Sequence, residues 1–129
     1  MKKLTIEHLA PYLPYELKII LDEDLKELDK YKPYQFILMG LGEDSAIINN
    51  DSYWLNEVKP ILHPLSDLTK EISEGKPKYF PMSITMEYIK SNKDLLDLPY
   101  NEVNYLIRNH FDVFGLIKEG LAIDINTIK

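Results

Sequence analysis

From Tyr100 to Phe111 apolar residues recur at three- and four-residue steps. Tyr100, Val103, Leu106, Ile107, His110 and Phe111 therefore fall on one stripe of a helix of about three turns. Asn101, Glu102, Asn104, Arg108 and Asn109 take the other side. Pro99 suits a first helical turn, and Glu102 near the start and Arg108 near the end complement the helix dipole. Further on, Phe114, Leu116, Ile117, Leu121 and Ile123 form a second apolar set, with breaks expected at Gly115 and Gly120. The pattern predicts a helix, a turn, a short second helix and an extended tail. The helical segment spans about 99–119, and the remainder of the chain packs around it.

Upstream, Thr5 caps a short helix that Pro11 and Pro14 stop. Tyr15, Leu17, Ile19 and Leu21 alternate with polar residues, which predicts a half-buried strand over 15–21. Residues 22–32 read as a short surface helix or a charged loop. The segment 34–41, YQFILMGL, is apolar on both faces and is expected to be the most buried strand. A third strand at 45–49 ends in the turn residues Asn49 to Ser52, and Tyr53 to Leu55 can start a fourth. Pro60 and Pro64 restrict their segment to a sheet edge. Leu65, Leu68 and Ile72 predict a two-turn helix, 74–81 a proline-containing loop, and 83–89 another short helix. One α+β domain over 1–129, a small antiparallel sheet packed against short helices, is the expected architecture.

With 45% hydrophobic residues, a 129-residue chain can bury a core without staples. It has no cysteine, which removes disulfides, thiolate zinc sites and cysteine nucleophiles. No apolar run has signal-peptide or membrane-spanning length, so a soluble cytosolic protein is expected. Between Asp22 and Glu57 nine acids face three bases, a balance of −6 that equals the net charge of the whole chain. Arg108 is the sole arginine, which argues against direct nucleic-acid binding.

The candidate chemistries are weak. His110 and Asp112 form an H-x-D triplet that could serve a metal or an acid–base centre, but His110 also continues the apolar stripe at a helix end. No third ligand spacing accompanies it, so no metal site is expected. His63, between Leu62 and Pro64, reads as a packed side chain on an irregular edge more readily than as a binding residue. Gly40-Leu41-Gly42 lacks the third glycine and the helix of a dinucleotide fingerprint, and Asp22-Glu23-Asp24 lacks the rest of a calcium loop. Neither a cofactor nor a catalytic set is expected. The residues left as candidates for partner binding are Asp22, Glu23, Asp24, Glu27, Asp29, Glu43 and Asp44, with the aromatics Tyr53 and Trp54 beside a polar turn. Tyr79 and Phe80, in the proline-flanked loop, are further aromatic candidates.

Three phrases, KKLTIEHLAPYLPYELK, VKPILHPLSDLTKEI and NHFDVFGLIKEGLAIDIN, resemble those of a family of small uncharacterised proteins of bacterial prophages and mobile elements. That family more often carries arginine where this chain has His63. The resemblance implies a genomic setting and no activity. The expected function is binding of a host or phage protein with a basic surface, including inhibition of a nucleic-acid-guided defence nuclease of the anti-CRISPR type. The alternatives are a small metal-dependent or hydrolytic enzyme using His110 and Asp112, and a subunit of a phage assembly or replication complex.

Overall fold

Strand β1 (Lys18–Leu21) organises the larger sheet, because it is buried on both faces. Leu17, Ile19 and Leu21 enter the main core, and Ile20 points to a smaller cluster with Ile61 on the opposite side. The computed structural model describes residues 3–25, 34–69, 71–73, 76–77 and 83–127. β1 is shorter than the expected strand. Residues 10–15 form a 3-10 helix carrying two prolines, and Glu16 then adopts a left-handed conformation at φ 55° before the strand begins.

The expected single strand at 34–41 is instead two. Short β2 (Phe36–Ile37) pairs antiparallel with β1, whereas β3 (Gly40–Leu41) pairs with β4 (Ser45–Ile48) in a separate sheet. The switch occurs between consecutive residues. The Leu38 N–H bonds the Leu17 carbonyl at 2.8 Å, and the Met39 N–H bonds the Ile47 carbonyl at 2.9 Å. Leu38 is buried, but Tyr34, Ile37 and Met39 are exposed, so this is not the most buried strand. A run apolar on both faces supplies residues for two sheets, and Tyr34 packs on the Phe36 ring while staying exposed.

β4 continues through Asn49 and Asn50, both at positive φ, into β5 (Asp51–Trp54). A two-residue hairpin needs left-handed backbone at both turn positions, and asparagine tolerates it. The fourth strand therefore begins at Asp51, earlier than the expected 53–55, because Ser52 pairs with Ile47 in the ladder and is not part of the turn.

β6 (Val58–Leu62) overturns the edge assignment of Pro60. It lies inside the four-stranded sheet in the order β2-β1-β6, with β9 (Ile123–Asp124) parallel on its other side. Pro60 faces Ile19 of β1, while pairing with β9 starts at Ile61, so the missing N–H of proline falls outside the β9 ladder. A 3-10 helix over Leu65–Thr69 replaces the expected two-turn helix, and Ile72 instead lies in β7 (Glu71–Ser73), which pairs with β8 (Lys76–Pro77).

The helices are α1 (Ile6–Leu9), α2 (Asp22–Leu25), α3 (Ser83–Lys90) and α4 (Tyr100–Arg108). Within α4, Leu106 and Ile107 are buried as the stripe predicts, and Phe111 beyond its end is fully buried. Two expectations fail here. Tyr100 is 83% exposed, and Glu102, expected on the polar side, is buried and accepts a 2.6 Å hydrogen bond from the Thr85 hydroxyl of α3. The helix also stops at Arg108, well short of 119. The expected second helix is a series of turns over 113–120, and the tail then becomes β9. The main core draws on residues from Leu4 to Ala122. The fold is α+β, with a mixed four-stranded sheet, an antiparallel three-stranded sheet and the two-stranded β7–β8 sheet.

Candidate functional site

The register of β1 and β6 determines where the acidic segment gathers. Leu21 faces Val58, so the chain continuing into Asp22 and Glu23 meets Glu57 just before Val58. Asp22, Glu23 and Glu57 line one open cleft of about 260 Å³ with Leu21, Tyr53 and Asn56, and none of these described lining residues is basic. One Glu57 oxygen accepts the Trp54 backbone N–H at 3.1 Å. Asp22 lies 3.6 Å from the Lys59 ammonium, a loose surface pair that leaves most of its field available to solvent.

The β3-β4-β5 sheet turns outward the face opposite to that of Tyr53 and the buried Ala46. Ser45 is opposite Trp54 and Ile47 is opposite Ser52, which puts Ile47 and Trp54 on the same face. Trp54 is 65% exposed and Ile47 38%. Glu43 and Asp44 form the exposed turn that enters β4.

Trp54 and Asp44 also border a second cleft, of about 340 Å³. Its apolar walls are Leu4, Leu55, Val58 and Leu121, and Lys3 and Lys59 supply its positive groups. Asn56 borders both clefts.

Of the nine residues expected to bind a partner, Asp22, Glu23 and Tyr53 meet at the acidic cleft, and Asp44 and Trp54 meet at the second. Asp24 lies on α2 and Glu43 in the exposed turn, and neither is among the residues described as lining these two clefts. Glu27 and Asp29 lie outside the described residues, as do Tyr79 and Phe80. Glu57 and Asn56 were not among the nine. Glu57 is visible in the sequence as part of the charge excess, but its proximity to Asp22 depends on strand register.

The H-x-D triplet is not assembled as a catalytic pair. His110 occupies the left-handed position that ends α4, with φ 63°. Its N–H bonds the Ile107 carbonyl and the Phe111 N–H bonds the Leu106 carbonyl, both at 2.9 Å, the paired bonds of a Schellman ending. The ring Nε2 donates to the Tyr15 carbonyl at 2.6 Å. Burial holds the imidazole pKa below its ordinary value of 6.5, against the opposing effect of that hydrogen bond. The Asp112 carboxylate is buried and accepts the Leu116 and Ile117 N–H groups at 2.8 and 2.9 Å. Both side chains thus bind backbone.

A different histidine–carboxylate pair is present. His63 Nδ1 donates to Asp67 Oδ2 at 2.9 Å, and the Asn126 amide donates to both Asp67 oxygens at 3.1 Å. Asp67 is buried, and the trio joins the end of β6 to the C-terminal 3-10 turn (Ile125–Thr127). His63 and Asp67 are four residues apart in the sequence, a spacing that could have suggested the pair. Among the described residues no group of three or more histidine, aspartate or glutamate side chains is placed to hold a metal ion, and no helix is long and apolar enough to cross a membrane.

Compared with protein-family models, curated proteins and solved structures, the chain shows no match.

Proposed function

We propose that this protein works by binding another protein through the surface formed by the acidic cleft and the neighbouring Ile47–Trp54 sheet face. The observation that carries the reading is the convergence of Asp22, Glu23 and Glu57 on one cleft with no basic residue among its described lining, the Glu57 carboxylate accepting the backbone N–H of the exposed Trp54. Carboxylates in such a recess concentrate negative potential and guide a cationic partner, while an exposed aromatic supplies the desolvated anchor that charge alone lacks. The fitting partner presents lysine or arginine beside an apolar residue. In the prophage setting implied by the resemblance, it is a basic nucleic-acid-handling protein of the bacterial cytosol, with a nucleic-acid-guided defence nuclease as the leading candidate.

The test uses the full chain as bait for purified guide-loaded defence nucleases at low and high salt, alongside an assay of target cleavage. Binding that weakens with salt and is lost in a variant combining Asp22→Asn, Glu23→Gln, Glu57→Gln and Trp54→Ala is the expected result. Equal capture by that variant would remove the acidic face from the reading. Failure to bind or inhibit any of the nucleases would remove the inhibitor role.

A further inference from the structure

We propose that β5 takes up an extended segment of the protein partner, of alternating apolar and basic residues, as an added antiparallel strand. This names how the partner is held and rests on the partner-binding reading. β5 ends the order β3-β4-β5, and among the described residues no strand pairs with its other side. In an antiparallel ladder, residue pairs that exchange hydrogen bonds alternate with pairs that do not. The Leu55 N–H bonds the Asp44 carbonyl, so Ala46–Tyr53 and Ile48–Asp51 are the bonded pairs that follow. Ser45 and Ile47 turn their carbonyls the other way, to the N–H groups of Gly42 and Met39. Their partners on β5, Trp54 and Ser52, therefore aim N–H and C=O away from β4, out of the sheet edge. The Glu57 carboxylate meets the Trp54 N–H on that outer side at 3.1 Å, and Ser52 is exposed.

Alternation along the added strand then assigns its side chains. Residues opposite Ser52 and Trp54 share the outward face with the exposed Ile47 and Trp54, so apolar side chains fit there. The residue between them, opposite Tyr53, shares the face of Tyr53, which lines the acidic cleft with Asp22, Glu23 and Glu57. That position selects lysine or arginine. A cation there also competes with the Trp54 N–H for the Glu57 carboxylate, and its release returns to the edge a donor that the new strand uses. Main-chain pairing supplies affinity, and the apolar–basic–apolar pattern supplies selectivity. A second copy of β5 fits less well, because it brings its own Asp22, Glu23 and Glu57 to the same edge.

The probe is a capped peptide, GSVKVRVSG, whose valines suit the positions opposite Ser52 and Trp54 and whose cations suit the cleft. Titrated into the isotope-labelled full chain, it should bind with a Kd of roughly 1 mM or tighter, shift the Ser52 and Trp54 amide signals and slow hydrogen exchange at Ser52. The peptide N-methylated on its valines lacks the donors that face β5, and a version with glutamate for lysine and arginine lacks the charge. Each should bind at least about tenfold more weakly. Ser52→Pro removes the outward donor without taking a bond from β4 and should also lose at least about tenfold, whereas Ser52→Ala should bind as the native chain does. Circular dichroism verifies that both variants are folded, and if Ser52→Pro is not, the valine-methylated peptide makes the same test on the native protein. No saturable binding, equal affinity for the valine-methylated peptide, or full affinity in folded Ser52→Pro would each overturn strand addition. Nuclease capture that is lost in the acidic-cleft variant but intact in Ser52→Pro would keep the partner-binding reading and remove this mode. Peptide binding without nuclease capture would keep the edge site and remove the nuclease.

Discussion

The Tyr12 hydroxyl donates to the Phe111 carbonyl and accepts the Val113 N–H at 3.3 Å, tying the N-terminal 3-10 helix to a segment 99 and 101 residues away. Tyr12 is fully buried, so these bonds form where water cannot replace them. Tyr12→Phe keeps the ring and removes the hydroxyl, while the Val113 N–H still bonds the Phe111 carbonyl at 3.0 Å. It should cost roughly 0.5–1.5 kcal/mol in urea denaturation, with an unchanged slope. Burial also raises the phenol pKa well above its ordinary 10.0. The folded state consequently favours the protonated phenol, and stability should fall as pH rises through 10, more steeply in the native protein than in Tyr12→Phe.

The opposite pH response is expected of His110. Its folded pKa is depressed below 6.5, so between the two values the unfolded chain binds more protons than the folded one. Stability should therefore decline as pH falls below 6.5, with the burial that opposes the imidazolium reinforced by neighbouring His63 and Lys18 and countered by the Tyr15 carbonyl and Glu16. His110→Asn tolerates the left-handed backbone and cannot titrate. Urea midpoints at pH 7.5 and 5.5 should show a smaller acid loss for this variant than for the native chain. An identical acid loss would assign the effect to other groups.

Asp112 closes the next turn in a similar way, through bonds to the Leu116 and Ile117 N–H groups. A charged oxygen pair serving two backbone donors should contribute more than a single neutral cap. Asp112→Ala should lower stability by roughly 1–3 kcal/mol, read from thermal unfolding, and Asp112→Asn should recover part of it. A catalytic pair with His110 would require Asp112→Asn to impair an activity while leaving stability intact.

These elements also show what a sequence can and cannot disclose. The α4 stripe was legible because the helical period and the burial of Leu106 and Ile107 coincide. Thr5 as a cap was legible too, although His8 completes it by accepting the Thr5 N–H at 3.1 Å. Pro60 was misread because edge confinement is a statement about the missing N–H, and only the β9 register reveals that no bond was required there. The 34–41 run was misread because apolarity does not say which sheet receives each residue; the change of partner at Leu38 and Met39 arises from tertiary pairing. The acidic excess was plain in composition. Its division into an acidic cleft and a lysine-bordered one depended on Leu21 facing Val58, which no local pattern encodes.

Glu102 is the buried acid that α4 periodicity placed on the wrong side, and α3 explains why it is tolerated. The Thr85 hydroxyl reaches it at 2.6 Å and is itself fully buried, so the two polar groups enter the interior together. Thr85→Val alone should be costly, because it deprives a buried carboxyl of a donor, and Glu102→Leu alone should deprive the hydroxyl of its acceptor. Removing both replaces a polar contact with an apolar one, so the double variant should be more stable than the sum of the single losses implies. A coupling of roughly 0.5–3 kcal/mol is expected from a double-mutant cycle in urea. Strict additivity would mean that each group is satisfied independently and that this bond does not decide how α3 docks on α4.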